Sequence, residues 1–385
     1  MNWRGPLTDV LVVDLSRAVA GPQASQMLGD LGARVIKIES QGGDDSRHWG
    51  PPFVGDESTY FLSVNRNKES VVLDLKSDDG KTVLAELVKR ADVLIENFRV
   101  GTLDRLGFSE KRIRELNPRV VFLSITGFGH DGPEADRPGY DQIAQGEAGL
   151  MSITGSAPDD PQRVGVPIAD VLSGMNGAFG VLAALLEREK TGRGTTVRTS
   201  LIASVVGAHV FQGTAQTVAG VTGRARGNHH PSLAPYGLFQ CADGPCQIAV
   251  GTETHWAGVK KVLGLAENEL FETNAGRVTN RDALIAEINS ALANWKLDDV
   301  LAAFDELGVP AGRVRTLDQV YEWEQVLSQG LVTEVEHSNI GRIRIPGSPL
   351  RWFDSSGEIT PTLNTAPPAL GEHSTAVRRW LGFEV

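Results

Sequence analysis

Asp170 is the side chain in this sequence whose setting most directly suggests chemistry. It ends the short apolar run from Gly165 to Ala169 and precedes a Gly- and Ala-rich helical stretch from Val171 to Arg188. Aspartate is among the best helix-capping residues, because its carboxylate accepts a hydrogen bond from a first-turn N–H. The same carboxylate could instead be a nucleophile held where a substrate arrives. The residues alone leave both roles open.

Other motifs that often carry chemistry are weaker here. Gly127–Gly132 matches the GxGxxG pattern of dinucleotide sites, but Pro133 and residues 136–139 interrupt the helix that such a site needs. His229 and His230 lie in a Gly- and Pro-rich stretch, where adjacent histidines more often face water than bind metal. No P-loop, HExxH or paired CxxC motif occurs. We therefore expect no nicotinamide cofactor and no metal.

The chain of 385 residues is acidic, with 37 Lys and Arg residues and 48 Asp and Glu residues. No basic excess is available to displace counterions, so we expect no nucleic acid as partner. No apolar run reaches about 18 residues and residues 1–6 contain no apolar core of a leader, so neither a membrane span nor a leader is expected. Cys241 and Cys246 fit small buried residues of a reducing compartment, and the expected location is cytoplasmic.

The elements that must position Asp170 are predicted from alternating apolar segments. Strand-like segments lie at 10–15, 34–39, 70–75, 92–96 and 119–126, and helical segments at 23–31, 80–90 and 109–116. Such alternation predicts an α/β fold, with a mostly parallel, doubly wound, Rossmann-like sheet covered by helices on both faces.

The pattern changes beyond about residue 222, where a Gly- and Pro-rich stretch leads into short strands and helices. A hairpin at 237–251 and helices at 255–263, 281–295 and 297–307 are predicted there. We therefore predict a discontinuous large domain, residues 1–215 with 326–385, and a smaller α+β domain inserted at 225–325.

Several short motifs, taken in order, resemble those of the class III CoA-transferases, the CaiB/BaiF family that includes formyl-CoA transferase and carnitine CoA-transferase. The resemblance spans nearly the whole chain. It rests on Ala20–Pro22, Val35–Glu39, Ala91–Arg99, Gly139–Asp141 and Leu370–His373, among others. No single motif is specific, but their order and spacing together are.

The resemblance implies transfer of CoA between two carboxylic acids, with Asp170 matching the family's catalytic aspartate. In that chemistry the carboxylate attacks an acyl-CoA thioester and forms a mixed anhydride, which CoA thiolate converts to an aspartyl-CoA thioester. The implied partners are acyl-CoA, a small carboxylic acid and a second copy of the chain in an interlocked homodimer.

The resemblance also assigns positions that bind coenzyme A. They are Ala18 and Val19 after the first strand, Leu73, Lys76 and Arg105 at the nucleotide end, Asn97 and Phe98 along the pantetheine path, and Tyr140 near the thioester. Lys76 and Arg105 would supply the positive charge that a polyanionic substrate needs. Candidates to meet the acceptor carboxylate are Arg163, Arg224, Arg226 and His229, without a ranking among them.

Ser40 and Val19 replace an Arg and a Gln of formyl-CoA transferases, so some nucleotide contacts must differ.

Two alternatives stay open. The same fold hosts α-methylacyl-CoA racemases, which carry His where Tyr140 stands, and His130 or His229 could substitute as the base. The other alternative is a non-catalytic acyl-CoA-binding protein in which the aspartate only caps its helix.

Overall fold

A computed structural model describes residues 5–359 and 364–384, so residues 1–4, which bear on the leader expectation, lie outside it. The chain divides into two compact units. The first comprises Met1–Leu150, Arg163–Val221 and Glu324–Val385, and the second comprises Met151–Gln162 and Thr222–Trp323. The predicted division differs from these units at Met151–Gln162, which it placed in the large domain.

The first unit is built on a six-stranded parallel sheet. The strands of its first two segments are β1 (Leu11–Asp14), β2 (Arg34–Glu39), β3 (Phe53–Val54), β4 (Glu57–Ser58), β5 (Lys68–Val72), β6 (Val93–Glu96), β7 (Val121–Thr126) and β8 (Thr196–Ser200). The sheet order is β5-β2-β1-β6-β7-β8, and every pairing in it is parallel. Counting only these six strands, the order is the 3-2-1-4-5-6 of Rossmann sheets, which confirms the predicted mixed α/β fold with a parallel sheet.

Helices cover both faces of this sheet, as the alternation predicted. They are α1 (Ala20–Asp30), α2 (Thr59–Ser63), α3 (Asp78–Arg90), α4 (Thr102–Arg105), α5 (Glu110–Leu116), α6 (Asp141–Glu147), α7 (Ile168–Thr191), α8 (Leu201–Gly207) and α9 (Val210–Ala219). Neighbouring strand residues point to opposite faces. Val12 and Ile95 join the core beneath α1 and α7, whereas Val13 and Leu94 join the core beneath α3.

Helix α7 approaches its neighbours unusually closely because of three glycines. A Cβ on Gly174 would lie 2.7 Å from the Ala20 carbonyl oxygen of α1. Cβ atoms on Gly177 and Gly180 would lie within 3 Å of side chains on β7 and β8. By length and composition α7 could also cross a membrane, a property that core helices of soluble proteins share. The glycines therefore serve close packing inside the first unit.

The second unit contains a three-stranded antiparallel sheet, ordered β11-β10-β9, and a separate apolar core. Its elements are β9 (Tyr236–Cys241), β10 (Gly244–Ala249), α10 (Glu253–Leu263), α11 (Asn274–Thr279), α12 (Arg281–Leu292), α13 (Leu297–Glu306), β11 (Ala311–Arg313) and α14 (Leu317–Tyr321). The predicted hairpin and three helices are confirmed. Cys241 and Cys246 are free and buried in this core.

The last segment of the chain belongs to the first unit. It contains α15 (Glu324–Ser328), β12 (Val332–His337), β13 (Gly341–Pro346), β14 (Trp352–Asp354), β15 (Gly357–Ile359) and α16 (Ser374–Leu381). Helix α16 docks beside β5, where the Ser374 hydroxyl accepts a hydrogen bond from Val72 N at 3.1 Å.

The interlocked dimer stays a prediction. In the single chain, the apolar helix α9 has no buried residue.

A group of buried charges lies beside β1, β2 and β5. It consists of Asp14 at the end of β1, Lys37 within β2, Asp44 in the loop after β2 and Lys68 at the start of β5. Lys37 Nζ is 2.8 Å from Asp44 Oδ2 and donates to the Ser16 carbonyl oxygen at 2.8 Å. Lys68 Nζ is 3.2 Å from Asp14 Oδ2 and donates to the Pro22 carbonyl oxygen at 2.9 Å. All four ionised side chains are inaccessible to solvent. The two lysines therefore hold the chain that leaves β1 and enters α1.

We predict that Lys37→Met lowers the free energy of unfolding by about 3–5 kcal/mol, because it leaves Asp44 buried without its cation. The control is Lys89→Met, which removes an exposed lysine paired with Glu86 and should cost less than about 1 kcal/mol. Urea unfolding followed by circular dichroism measures both. Equal midpoints for the two variants would contradict a structural role for the buried charges.

Candidate active site

The site lies where the strand order of the sheet reverses, between β1 and β6. In sheets of this kind, ligands bind beyond the carboxyl ends of the strands at that point. The loops that follow β1 and β6 are joined there by Asn97. Its Oδ1 accepts from Arg17 N and its Nδ2 donates to the Arg17 carbonyl oxygen, both at 2.8 Å. The two loops therefore form one firmly connected wall.

Beside this wall is a cavity of about 610 Å³ that contains Asp170. The predicted residues Ala18, Asn97, Phe98 and Tyr140 line it as well. Ala18 has a φ of 63°, and its N–H donates to Asp44 Oδ1 at 3.1 Å. The buried charges thus fix the backbone at the cavity edge.

Asp170 does not cap its helix, so of the two roles that the residues left open the structure excludes the helix cap. Helix α7 begins at Ile168, its N-cap residue is Pro167, and Asp170 lies in the first turn without a capping hydrogen bond from its own side chain. The capping carboxylate comes from Asp141, whose Oδ1 accepts from Ala169 N at 2.7 Å and from Asp170 N at 3.3 Å. Because Asp141 satisfies these donors, the carboxylate of Asp170 is left for the cavity.

The pKa of Asp170 is set by its surroundings and not by the helix end. A helix N-terminus alone would lower it. Instead, burial and then the negative charge of Asp141 raise the pKa of Asp170 to about 7. Removing a carboxylate from water and placing it beside a second one both disfavour its charged form. The group is therefore poised between its protonated and ionised states near neutral pH.

Three aromatic rings, Trp49, Tyr60 and Tyr140, line the cavity as well. Trp49 packs edge-on against Tyr60 with ring centroids 4.9 Å apart, and its centroid lies 6.5 Å from that of Tyr140. Burial, followed by the charges of Asp170 and Asp141, raises the pKa of Tyr60. Its hydroxyl therefore stays protonated at neutral pH and can donate a hydrogen bond.

A second cavity, of about 590 Å³, adjoins the first and contains the predicted residues Leu73 and Lys76. Arg17 and Phe98 line both cavities, with the guanidinium carbon 5.7 Å from the ring centroid. The two cavities therefore meet at this pair, with Lys76 in one and Asp170 in the other. Together they would suit an elongated ligand with an anionic end.

The remaining predicted residues lie apart from these linings. Val19 is buried at the N-cap of α1, and Arg105 is exposed, with its Nη2 donating to Thr102 Oγ1 at 2.9 Å. Among the four candidates for the acceptor carboxylate, Arg163 lines the cavity of Asp170. The other three, Arg224, Arg226 and His229, belong to the second unit.

Neither histidine of the racemase alternative is among the described residues that line the cavity of Asp170. His130 lines a neighbouring cavity, and His229 belongs to the second unit, where its ring centroid lies 5.6 Å from that of Phe239. Within residues 5–359 and 364–384, no group of three or more His, Cys, Asp or Glu side chains could hold a metal ion.

Sequence reasoning missed Trp49, Tyr60 and the capping role of Asp141. Trp49 and Tyr60 lie far from Asp170 in sequence and carry no motif. Asp141 was visible as part of Gly139–Asp141. Its carboxylate could have been proposed as a cap for a helix elsewhere in the chain.

Comparison with known proteins decides the family. The pattern described as "CoA-transferase family III" matches residues 7–374. The chain belongs to CoA-transferase family III. It is 38% identical to human succinyl-CoA:glutarate CoA-transferase over 98% of this chain and 86% of that protein. It is 37% identical to acetyl-CoA:oxalate CoA-transferase of Acetobacter aceti, over 98% of this chain and 96% of that protein.

A solved structure agrees with this assignment. The crystal structure of a CaiB/BaiF family protein from Brucella suis matches with a TM-score of 0.87 and 37% identity, covering 98% of this chain and 100% of that one. As a member of CoA-transferase family III, the protein is an enzyme that transfers CoA between carboxylic acids, with acyl-CoA as substrate.

We predict that Asp170→Asn stabilises this CoA-transferase at alkaline pH. Because the pKa of Asp170 is raised in the folded state, folded protein holds a proton that unfolded protein loses, and stability falls as pH rises from about 4 to about 7. The amide removes this loss, so the gain in unfolding free energy should be about 1–3 kcal/mol at about pH 8 and smaller at about pH 5.

Thermal unfolding at the two pH values measures this difference. Asp136→Asn, which changes an exposed carboxylate of the same unit, is the control. A gain for Asp170→Asn that does not grow with pH would contradict the raised pKa.

Proposed function

We propose that Asp170 is the nucleophile of CoA transfer and that it carries the CoA as an aspartyl thioester. The observation behind this proposal is a pair of adjoining cavities that share Arg17 and Phe98. One holds Lys76, and the other holds an aspartate whose carboxylate is not used for capping its helix. A CoA molecule along both cavities would have its nucleotide near Lys76 and its thioester near Asp170, and this is the proposed CoA path.

The proposed cycle balances as follows. An ionised Asp170 oxygen attacks the thioester carbonyl, the carbon–sulfur bond breaks, and a mixed anhydride and CoA thiolate form. The thiolate attacks the carbonyl of Asp170, which releases the donor acid as its carboxylate and leaves the aspartyl-CoA thioester. The acceptor carboxylate then repeats these two steps in reverse order. No net proton, electron or water is consumed.

The electrostatics of the cavity support this role. A carboxylate with a pKa near 7 is more basic than an ordinary aspartate, and it is still about half ionised at neutral pH. Tyr60 retains its proton and can donate a hydrogen bond to the oxyanion of a tetrahedral intermediate. Trp49 and Tyr60 also add apolar ring surface to the lining of the cavity.

We further propose that the acceptor is a small dicarboxylic acid. The named relatives act on glutarate and oxalate, each with two carboxylates. One carboxylate would react at Asp170 while Arg163 binds the other. Arg163 Nη1 donates to the carbonyl oxygens of Val164 and Gly165 at 3.0 and 3.1 Å, and it forms no ion pair with a described carboxylate. Its charge therefore stays available to a ligand.

We predict that acyl-CoA labels Asp170 covalently. Incubation with succinyl-CoA followed by hydroxylamine should convert Asp170 to a hydroxamate, which peptide mass spectrometry detects. Asp170→Ala should lose the label and turnover by at least about a thousandfold while keeping CoA binding, and Asp136→Asn should keep both. Undiminished turnover in Asp170→Ala would sink the mechanism.

We predict that Arg163→Gln raises KM for dicarboxylic acceptors by about 10–100-fold, because a charged hydrogen bond contributes about 1.5–3 kcal/mol. The matched control is Arg137→Gln. Arg137 lines the same cavity, but Glu134 and Glu147 already pair with it, at 2.9 and 2.5 Å. Initial rates with glutarate and with a monocarboxylate of similar length separate the two. Equal changes for both acceptors, or for both variants, would contradict the assignment.

A further inference from the structure

A buried acid, Glu96, lies directly behind the wall of the Asp170 cavity. It ends β6, it is 6% exposed, and it lines a separate cavity of about 360 Å³. Phe98, Arg99, Val100 and Thr126 line both cavities, whereas Glu96 lines only this one. None of the described cations pairs with it at ion-pair distance. The proposed mechanism gives this buried acid no task.

Glu96 connects two segments that border the site. Its Oε2 accepts from Phe98 N at 2.8 Å, and its Oε1 is hydrogen-bonded to the Ser124 hydroxyl. Ser124 Oγ is also 2.7 Å from His130 Nε2. His130 lies in the segment after β7 that leads towards Tyr140 and Asp141. One hydrogen-bonded chain therefore joins the loop of Phe98 to the segment of His130.

We propose that Glu96 is a positioning residue for acyl-CoA, which holds the loop of Phe98 through its side chain and loosens that loop when it takes up a proton. This inference rests on the proposed function, because it assumes that CoA runs along Phe98. It adds a proton-sensitive support that lies outside the reacting cavity.

The chain Glu96–Ser124–His130 can exist in two directions. With Glu96 ionised, the Ser124 hydroxyl donates to Oε1, and His130 must donate its Nε2–H to Ser124. With Glu96 protonated, its own O–H donates to Ser124, and Ser124 donates to an unprotonated Nε2. Protonation at one end therefore reverses each hydrogen bond in turn and changes the tautomer at the other end.

The surroundings place this change near neutral pH. Burial raises the pKa of Glu96 to about 7, against the hydrogen bonds from Ser124 and Phe98. Burial, with the charge of Arg198, lowers the pKa of His130, so the imidazole is neutral. Arg198 is itself paired with Glu110 at 3.0 Å. The charged and titratable groups that share the cavity with Glu96 are Arg99, Asp104, Glu110, Lys111, His130 and Arg198.

Loss of charge weakens the hold on the loop. A hydrogen bond to an ionised acceptor is roughly twice as strong as one to a neutral acceptor. The bond from Phe98 N to Glu96 is therefore strongest in the ionised form. Because Asn97 ties the same loop to Arg17, a looser Phe98 affects both loops of the binding wall.

Glu96→Gln provides a permanent copy of the protonated form. The amide oxygen can accept from Phe98 N, and the amide N–H can donate to Ser124. The test measures CoA binding by calorimetry at about pH 6 and about pH 8, in the Asp170→Ala background so that Asp170 does not titrate. The quantity compared is the ratio of Kd at about pH 6 to Kd at about pH 8. We expect this ratio to be roughly three- to tenfold larger in the protein with Glu96 than in Glu96→Gln, while the fold of the two is the same.

Taking this ratio between variants removes the titration of CoA itself, since a phosphate monoester has a second pKa near about 6. The matched control is Glu110→Gln, which removes another carboxylate from the same cavity but lies outside the chain to His130. It should keep the parental pH ratio. An identical ratio in Glu96→Gln overturns the proposal.

Hydrogen exchange at the Phe98 amide gives a readout without any ligand. It should slow as pH rises through about 7, relative to a reference amide in β7, in the parental protein but not in Glu96→Gln. The absence of that difference overturns the proposal even if both variants bind CoA. If the protein with Glu96 shows the exchange difference but does not bind CoA, the proposed function is contradicted instead.

Discussion

The site depends on the buried pairs Lys37–Asp44 and Lys68–Asp14. Four charges without water are stable only as long as each keeps its partners, so the chain around them has little freedom. The Lys37 ammonium overcomes the effect of burial and lowers the pKa of Asp44 to about 2. Asp44 therefore stays ionised and binds the N–H of Ala18. The buried charges therefore fix the backbone of Ala18, which lines the cavity of Asp170.

Asp170 shows the opposite use of burial. At the buried pairs, oppositely charged groups offset desolvation, whereas Asp170 has a second carboxylate, Asp141, as its neighbour. That neighbour performs two tasks, because it caps α7 and it raises the pKa of Asp170. A cap made by Asp170 itself would have used the carboxylate that the proposed reaction needs. The raised pKa of Asp170 lowers the stability of the folded protein at neutral pH, and the proposed reaction uses the more basic carboxylate that results.

Much of the architecture was predictable because it is written in local patterns. The apolar segments at β1, β2, β6 and β7 and the helices between them gave the parallel sheet. Strand β8 was missed because Thr196–Ser200 is only partly buried and lacks a continuous apolar run. The family was recognisable because its motifs recur in fixed order, and Ala18, Asn97, Phe98 and Tyr140 do gather around Asp170.

What the sequence could not supply was long-range. The local sequence left the capping role of Asp170 open because the residue that caps α7, Asp141, lies 29 positions away. The raised pKa of Asp170 was equally invisible, because it arises from burial and from the charge of Asp141. Trp49 and Tyr60 reach the cavity through a stretch between β2 and β5 that carries no recognisable pattern. Distances between such segments follow from the tertiary packing, which no local rule contains.

The two adjoining cavities have a consequence for how this family diversifies. The proposed CoA path is formed by loops that follow β1, β5 and β6. Arg163 instead lies between α6 and α7, in a segment without a strand. Under the proposed assignment, substitutions near Arg163 would change the acid that is accepted and leave the loops that bind CoA unchanged. Acid specificity and CoA binding would then vary independently.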